Sequence, residues 1–253
     1  MKKYQQRLLV KEVTKPSAKH VLVKLALEEP LPEINAGQFV EILVENSSST
    51  FLRRPISVNY VDEVLKELWL LIAVVGDGTR TLATLKAGDT LDIVFPLGNG
   101  FTIDRCRTLL VGGGVGIAPL LYAGKKIKDA GGEPTFLLGA RTADDLVETD
   151  LFSGIGRTLT TTEDGSEGEK GFVTDHSLWQ TETFDRIAVC GPKPMMAAVA
   201  KKARQLGIRC EVSLENMMAC GLGACLCCVE KTTDGNVCVC KEGPVFDIEK
   251  LYI

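Results

Sequence analysis

The chain has 253 residues, a net charge of −4, and 45% hydrophobic and 25% charged residues, a composition typical of soluble globular proteins. This charge balance excludes a basic nucleic-acid-binding protein, and no run of like charge indicates a charged tail. No window approaches 18 uncharged apolar residues, and the N-terminus lacks an apolar signal segment. The sequence therefore predicts no membrane span and a cytoplasmic location.

Residues 1–100 alternate short apolar runs with turn residues. The runs are rich in Val, Ile and Leu and read "HVLVKLAL", "GQFVEILV", "RPISVNYV", "LWLLIAVV" and "TLDIVFPL". Five or six strands at this spacing predict a small antiparallel β-barrel. A short helix is predicted in "TRTLATLKAG", ending at Gly88.

Two segments of this predicted barrel are candidate anion sites. The strand "FLRRPISVNY" carries Arg53 and Arg54, which can pair with phosphate, and Ser57, whose hydroxyl can reach a flavin ring edge. On composition alone, an exposed strand with solvated arginines is the favoured interpretation. The segment "VVGDGTRTLATL" places Gly76 and Gly78 before a helix start. Two such sites in one small barrel suggest a large phosphorylated cofactor.

The hydrophobic period changes near Arg107. The segments "RTLLVGGGVGIAPLLYAGKKIKDAGGEPTFLLGAR" and "FDRIAVCGPKPMMAAVAKKARQLGIRCEVSL" each read strand, turn, helix, turn, strand. Strands that alternate with helices predict a parallel sheet covered on both faces. Gly207 should end the second helix. The boundary with the barrel is predicted near residues 101–106.

The turns of these two units are the candidate dinucleotide site. Gly112, Gly113, Gly114 and Gly116 follow a buried strand, where glycine allows close approach to a pyrophosphate and the helix start offers free N–H groups. The pattern is not G-x-G-x-x-G, and a tight turn without a ligand is the alternative. In the second unit Cys190 ends its strand, at the edge where open α/β sheets bind ligands. A small buried hydrophobic residue is the alternative there.

An acidic pair predicts the choice of dinucleotide. Glu163 and Asp164 follow a predicted strand, where the adenosine ribose should lie. Carboxylates there favour the free 2′-hydroxyl of NAD and repel the extra phosphate of NADP. A solvated acidic loop is the alternative interpretation.

Six of the nine cysteines fall between Cys220 and Cys240. The spacing Cys220-x4-Cys225-x2-Cys228 is that of plant-type [2Fe–2S] proteins, which use a fourth cysteine further along the chain. Zinc is the alternative, although it favours two C-x2–4-C pairs. In a reducing compartment such a cluster indicates metal rather than disulfides. Cys238 and Cys240 both remain candidates for the fourth ligand.

The motifs together resemble a known family. "RPIS", "GDGT", "GGGVGIAP", "CGPKPMM" and "CGLGACLCCV…VCKEGPVF" occur in the order found in the ferredoxin–NADP reductase superfamily, and the last motif is similar to that of the electron-transfer subunits of dihydroorotate dehydrogenase B. The resemblance covers essentially the whole chain. It implies three domains: an antiparallel β-barrel FAD-binding domain in 1–102, an α/β parallel-sheet NAD-binding domain in 103–212 and a small C-terminal [2Fe–2S] module in 213–253.

The resemblance also implies roles for individual residues. The residues implied to hold FAD are Arg54, Pro55, Ile56, Ser57, Leu71, Ile72, Ala73, Gly78 and Thr79. Gly113, Gly114 and Gly116 would receive the dinucleotide, with Cys190 by the nicotinamide. The implied cluster ligands are Cys220, Cys225, Cys228 and, directly before the "GPVF" segment, Cys240. The loop between Cys228 and Cys240 looks shorter than in the family, which keeps Cys238 as an alternative.

The function implied by the resemblance is electron transfer. Nicotinamide exchanges a hydride, an iron–sulfur cluster passes single electrons, and a flavin does both, so the carriers should follow the order partner flavin, cluster, FAD, NAD. The partner would be an FMN-containing dihydroorotate dehydrogenase catalytic subunit, with two of each chain in the assembly. His20 and His176, which are predicted to be structural or exposed, leave this chain without a base for dihydroorotate oxidation. A ferredoxin-type or hydrogenase-associated flavin reductase subunit and a non-enzymatic redox-sensing metal-binding module are the alternatives.

Overall fold

The computed structural model of the chain describes residues 2–29 and 32–253, which form two seven-stranded sheets and one hairpin. The strands are β1 (Tyr4–Ser17), β2 (His20–Ala26), β3 (Phe39–Ile42), β4 (Arg54–Ser57), β5 (Tyr60–Asp62), β6 (Glu67–Ala73), β7 (Thr90–Leu97), β8 (Arg107–Gly113), β9 (Glu133–Ala140), β10 (Arg157–Thr162), β11 (Glu169–Lys170), β12 (Arg186–Cys190), β13 (Arg209–Ser213), β14 (Val229–Thr232), β15 (Gly235–Cys238) and β16 (Val245–Asp247). The α-helices are α1 (Asp77–Leu82), α2 (Ala118–Asp129), α3 (Thr149–Ile155), α4 (Leu178–Thr181), α5 (Lys193–Leu206) and α6 (Val239–Glu242).

The N-terminal sheet is antiparallel throughout, in the order β4-β3-β7-β1-β2-β6-β5, which confirms the predicted class of this region. It has seven strands rather than five or six. The pattern missed β1, because charged residues alternate with its buried Leu8 and Val10. The first half of β1 pairs with β7 and, past an irregularity after Val10, its second half pairs with β2. One long strand thereby joins the two halves of the sheet around a shared core.

The helix predicted to end at Gly88 is shorter and begins earlier, at Asp77. The hydroxyl of Thr79 accepts the backbone N–H groups of Val75 at 2.9 Å and Gly76 at 3.0 Å, and this bonding fixes the helix start. Gly88 instead has φ +96° in the turn that leads into β7. The helix-forming residues after Leu82 are therefore used in a turn, because the chain must reverse within a few residues.

The second sheet has the order β11-β10-β9-β8-β12-β13-β16, and the pairs among β8 to β13 are parallel, as predicted. The buried face of α5 lies on it, and Gly207 ends α5 in the left-handed conformation that the sequence predicts. The chain runs from β8 outward through β9 and β10, then returns to the other side of β8 with β12. The point where the strand order reverses lies between β8 and β12, and ligands of open α/β sheets bind at this position.

The C-terminal segment docks on both sheets. Its strand β16 pairs antiparallel with β13, an arrangement that the sequence did not predict. On the other side, the side-chain nitrogen of Asn99 donates to the carbonyl of Glu242 at 2.9 Å and to that of Val245 at 2.8 Å. The side-chain oxygen of Asn99 accepts the Val245 N–H at 2.9 Å. A Cβ at Gly98 would lie 2.5 Å from Pro244 Cδ. The "GPVF" segment is thus the joint between the cysteine-rich region and the barrel.

Candidate functional site

A cleft of about 690 Å³ separates the two large sheets. The barrel side is lined by Lys19, His20, Ala73, Val74 and Val75. The other side is formed by the turns at the carboxyl ends of the parallel strands, among them Gly113, Gly114, Arg141, Glu163, Phe172 and Pro192. The cleft therefore opens at the point where the strand order reverses, between the barrel and the parallel sheet.

The three predicted dinucleotide glycines differ in their surroundings. Gly114 lines the cleft with φ +56°, and a Cβ there would meet nothing within 4 Å. Gly113 also lines the cleft, with Met195 Sδ 2.4 Å from an added Cβ. Gly116 lies behind them, where a Cβ would be 2.5 Å from the Cα of Gly191. Gly114 thus leaves room for a ligand, while Gly116 lets the turns after β8 and β12 lie in contact.

Cys190 lies at the carboxyl end of β12, with 1% of its surface exposed. Burial raises the pKa of its thiol far above the usual range, so the side chain is a neutral thiol. Gly191, which follows it with φ +152°, turns the chain toward α5. The structure thus places Cys190 beneath the floor of the cleft rather than on its surface.

The acidic pair divides into one residue that faces the cleft and one that does not. Glu163 lines the cleft. The carboxylate of Asp164 accepts the Ser166 hydroxyl at 2.6 Å and the Ser166 N–H at 3.0 Å, and it closes a local turn. The structure adds Phe172, which lines the cleft with 63% of its surface exposed, and Arg141 directly after β9. For Arg141, the signal available in the sequence was its position directly after the strand, in "LLGAR".

The barrel residues predicted to hold FAD lie next to the cleft. All four residues of β4 are half-buried, and β4 is the edge strand of its sheet. The side chain of Arg54 passes over α1, and a Cβ at Gly78 would be 2.9 Å from its Nε. No ion pair of Arg54 is found in the described part of the chain. An unneutralised guanidinium over a glycine-lined turn is suited to a phosphate.

The three residues of β6 that are predicted to complete the FAD site differ in their surroundings. Leu71 and Ile72 are buried in the barrel core with 2% and 0% exposure, and Ala73 alone of the three lines the cleft. From Leu70 onward β6 pairs with β2 on one edge only, because the pairing of β5 with β6 ends at Trp69. Leu71 and Ile72 can therefore offer a cofactor their main chain but not their side chains. The Thr79 hydroxyl is already bonded to the backbone of Val75 and Gly76, just before α1.

Four of the clustered cysteines form two close pairs. The thiol of Cys225 lies close enough to Cys220 to lower its pKa, and the thiol of Cys228 lies close enough to Cys240 to raise its pKa. Among the described residues, no three His, Cys, Asp or Glu side chains meet where they could hold one metal ion. Two separate thiol pairs fit the two irons of a [2Fe–2S] cluster better than one tetrahedral zinc ion.

Backbone N–H groups point at these sulfur atoms. Leu222 donates to Cys220 Sγ at 3.3 Å, and Gly223 donates to Cys240 Sγ at 3.1 Å. Burial works against ionisation of Cys220, but the backbone hydrogen bonds outweigh it and lower its pKa to about 6. These bonds therefore favour the thiolate, the form that binds iron, at Cys220. At Cys240 burial and the neighbouring Cys228 outweigh the Gly223 N–H and raise the pKa to about 12.

The two remaining cysteines lie outside the pairs. Cys227 is exposed, and the Cys238 thiol faces the carbonyl of Gly223 at 3.8 Å. The N–H of Cys240 donates to Cys228 Sγ at 3.4 Å. This arrangement favours Cys240 over Cys238 as the fourth ligand.

A buried carboxylate that the sequence analysis missed lies under the cysteine loop. Glu41 of β3 is 1% exposed, and neither of its carboxylate oxygens has a hydrogen-bond partner. A Cβ at Gly221 would lie 2.8 Å from Glu41 Cγ. Burial raises the pKa of Glu41 to about 7, although Arg53 lowers it. The signal for Glu41 that was available in the sequence was a single charged residue within the apolar run "GQFVEILV".

The two histidines are engaged in local structure. His20 is 6% exposed, and its Nδ1 shares a hydrogen bond of 2.8 Å with the Ser17 hydroxyl. His176 is 7% exposed, and its Nδ1 accepts the Leu178 N–H at 2.9 Å. Burial lowers the pKa of both rings, so they are neutral near pH 7. Both histidines thus stabilise local structure.

Comparison with known proteins places these features in a family context. Residues 215–252 match the model of the iron–sulfur cluster binding domain of dihydroorotate dehydrogenase B, and residues 110–201 match that of the oxidoreductase NAD-binding domain. The electron transfer subunit of dihydroorotate dehydrogenase B (NAD(+)) from Caldanaerobacter subterraneus subsp. tengcongensis is 42% identical over 85% of this chain and 86% of its own length. The subunit of that name from Shouchella clausii is 34% identical over 100% of both chains.

Solved structures show the same architecture. That of an NADH-dependent reduced ferredoxin-NADP oxidoreductase, described in terms of flavin-based electron bifurcation, superposes with a TM-score of 0.87 at 34% identity, over 96% of this chain and 88% of the other. The FAD/NAD-binding domain of a Vibrio cholerae nitric oxide dioxygenase superposes with a TM-score of 0.68 at 19% identity, over 82% and 98% of the chains, a likeness of fold alone. None of the helices among residues 2–29 and 32–253 is long and apolar enough to span a membrane.

Proposed function

We propose that this chain, which belongs to the family of electron-transfer subunits of dihydroorotate dehydrogenase B, carries electrons between an FMN-containing catalytic subunit and NAD+. The electrons pass through a [2Fe–2S] cluster and FAD. The chain is an oxidoreductase subunit with a ferredoxin-reductase-like fold. We assign FAD to residues 1–102, NAD to residues 103–212 and the cluster to residues 213–253. We place the assembly in the cytoplasm, with two copies of each subunit.

The observation that carries this proposal is the closeness of the cysteine loop to the flavin strand. Gly221, next to the ligand candidate Cys220, lies on Glu41 of β3. Glu41 is paired in the sheet with Pro55 of β4, the strand assigned to the flavin. Neighbouring strands lie about 5 Å apart. One strand of the barrel therefore separates the two assigned sites, which gives electrons a short route.

The residues of each site fit the group assigned to it. When bound, FAD supplies hydride exchange with the nicotinamide and single-electron exchange with the cluster. Arg54 beside Gly78 would hold its phosphates, and the open edge of β4 would accept the ring. Gly114 would admit the dinucleotide pyrophosphate at the cleft, and Glu163 would accept a hydrogen bond from the ribose. The two cysteine pairs would each hold one iron.

The chemistry of dihydroorotate oxidation belongs in this proposal to the catalytic partner. His20 and His176 are buried and bonded locally, and Cys190 is a neutral thiol beneath the cleft. The cysteine loop presents exposed apolar side chains that a partner would cover, namely Met217, Leu222, Leu226 and Val229. We therefore dock the catalytic subunit over the cluster.

A second candidate function is a flavin reductase subunit that serves a ferredoxin-type acceptor. It is favoured by the likeness to the NADH-dependent reduced ferredoxin-NADP oxidoreductase, at 34% identity over 96% of this chain. The two functions share the internal path from NAD to the cluster and differ in the protein that meets the exposed cysteine loop.

Anaerobic purification with metal and flavin analysis tests the proposal. We expect about two irons and about one FAD per chain and the absorbance of a [2Fe–2S] flavoprotein, and we expect NADH to bleach the flavin. Adding an FMN-containing catalytic subunit should allow dihydroorotate to reduce the same FAD. Zinc without flavin would end the proposal, whereas reduction by ferredoxin but not by dihydroorotate would select the second candidate.

The assignment of Glu163 to the ribose predicts a change in dinucleotide preference. In Glu163→Ser the carboxylate that would repel the 2′-phosphate of NADPH is gone, so the preference for NADH over NADPH in kcat/KM should fall about tenfold, the effect of ~1.4 kcal/mol. Steady-state reduction of a dye by each dinucleotide measures this ratio. The matched Asp164→Asn variant should change it less, because Asp164 is bonded to Ser166. Equal effects of both variants would count against the assignment.

A further inference from the structure

One buried side chain joins the two large sheets. Asn59 follows β4 by two residues and is 0% exposed. Its amide nitrogen donates to the carbonyl of Ala118 at 3.3 Å and to Glu148 Oε2 at 2.9 Å. Ala118 is the first residue of α2, directly after the turn Gly114–Ile117, and Glu148 directly precedes α3. Asn59 therefore connects the flavin strand to the dinucleotide turn.

This contact contains two buried oxygens without hydrogen-bond partners, Asn59 Oδ1 and Glu148 Oε1. A carboxylate can only accept hydrogen bonds, and it would leave both oxygens unsatisfied. A carboxylic acid can also donate. With a proton on Oε1, Glu148 can donate to Asn59 Oδ1 while its Oε2 accepts from Asn59 Nδ2. Of the two protonation states of Glu148, only the neutral acid carries a proton that could serve Asn59 Oδ1, and buried polar atoms are rarely left unpaired.

The surroundings favour the neutral form as well. Burial raises the pKa of Glu148 to about 7, against the opposing effects of the Asn59 hydrogen bond and of Lys24. Lys24 itself pairs with Glu12 at 2.7 Å and lies 4.4 Å from the centre of the Trp69 ring. The charged side chains of the adjoining α2 are engaged elsewhere: Lys125 pairs with Asp129, Lys126 pairs with Glu63, and Lys128 donates to the carbonyl of Gly154 at 3.3 Å.

The backbone fixes Glu148 in this position. Glu148 has φ +61°, a conformation unfavourable for a residue with a side chain. Its carbonyl accepts the N–H groups of Leu151 at 2.9 Å and Phe152 at 3.1 Å at the start of α3. Phe152 is 0% exposed and meets the Phe136 ring edge-on at 4.9 Å. Packing of α3 thus holds the carboxyl group against Asn59 despite the local strain.

Resting on the function proposed above, we propose that Glu148 is a positioning residue: as a neutral acid it binds Asn59 through two hydrogen bonds and holds the dinucleotide turn against the flavin strand. We refer to this pair as the Asn59–Glu148 latch. Loss of the proton leaves a buried charge facing Asn59 Oδ1, so the latch weakens as the pH rises through the titration of Glu148. Misplacement of the two sites then slows hydride transfer between them.

The test is the rate at which NADH reduces the bound flavin, followed by stopped-flow absorbance between about pH 6 and pH 8. If only the protonated latch is competent, the wild-type rate should fall about tenfold across this range, the ratio of protonated fractions for a group titrating near 7. In Glu148→Gln an amide–amide pair retains both hydrogen bonds and cannot ionise, so the rate should stay nearly constant. Glu63→Gln, an exposed carboxylate at the same domain junction, should keep the wild-type profile.

A second readout does not depend on turnover. The difference between the infrared spectra of the wild type and of Glu148→Gln should contain a carboxylic-acid carbonyl band that is lost as the pH rises through about 7. Glu41, whose pKa is also about 7, is present in both proteins and cancels in this difference. A wild-type rate without pH dependence, a Glu148→Gln rate that still falls, or the absence of this band would each overturn the latch. A chain that shows the band but is never reduced by NADH would instead overturn the proposed function, so the two failures are distinguishable.

Discussion

A Cys225→Ala chain is expected to lose its iron and all electron transfer to the catalytic subunit, while NADH still reduces its FAD. Cys225 is one half of the Cys220–Cys225 pair, and without it one iron would lose a ligand. The flavin strand and the cleft lie on the other side of β3 and do not depend on the thiol. Iron analysis, flavin analysis and stopped-flow reduction by NADH measure the three properties separately.

The neighbouring cysteines provide matched controls. Cys227→Ala removes an exposed thiol outside the pairs and should retain iron. Cys240→Ala should lose iron, whereas Cys238→Ala should keep it, because Cys240 rather than Cys238 is paired with Cys228. Loss of NADH-dependent flavin reduction in Cys225→Ala would show that the order of the carriers is wrong. Iron retained in Cys240→Ala and lost in Cys238→Ala would reverse the assignment of the fourth ligand.

Gly116→Ala should slow the reduction of FAD by NADH, while the chain keeps its FAD and its iron. The added Cβ would lie 2.5 Å from the Cα of Gly191 and 2.6 Å from the carbonyl oxygen of Cys190. These are backbone atoms, so no side-chain rotation relieves the contact, and the turns after β8 and β12 must move apart. A displacement of about 1 Å at a reacting site can lower the rate about 100-fold. We expect a drop of this order in flavin reduction by NADH.

The same variant should lose about 1–3 kcal/mol of stability, the usual effect of overpacking, measured by chemical denaturation. Gly154→Ala is its control, because nothing lies within 4 Å of an added Cβ in α3 and helix formation favours alanine there. Gly154→Ala should therefore leave both rate and stability unchanged or slightly raise stability. If Gly116→Ala reduced its flavin at the wild-type rate, the assignment of the dinucleotide to this turn would be contradicted.

Local patterns in the sequence predicted much of this architecture. The spacing of Cys220, Cys225 and Cys228 and the glycines after β8 are readable because each lies within one short segment whose chemistry is set by its own residues. The patterning changes from strand-only to strand–helix near Arg107, the residue at which β8 begins. Strand β1 was missed, because its charged outer face hides the buried positions.

Contacts between distant segments could not be predicted in this way. Asn59 and Glu148 are 89 residues apart, and Asn99 and Val245 are 146 residues apart. In the sequence Glu41 is an isolated charge, and only the folded chain brings Gly221 over it. Pairing of this kind depends on the docking of the sheets, for which a single sequence contains no periodic signal.

The strand β16 has a consequence for how a cluster-free protein can be made. By pairing with β13, the short strand β16 covers the border of β13, whose backbone groups would otherwise be open to pairing with another chain. Truncating the chain after β13 would expose that border to self-association, so a shortened protein would aggregate rather than report on the flavin alone. Substitution of single thiols leaves the border sealed and is the sound route to an iron-free form.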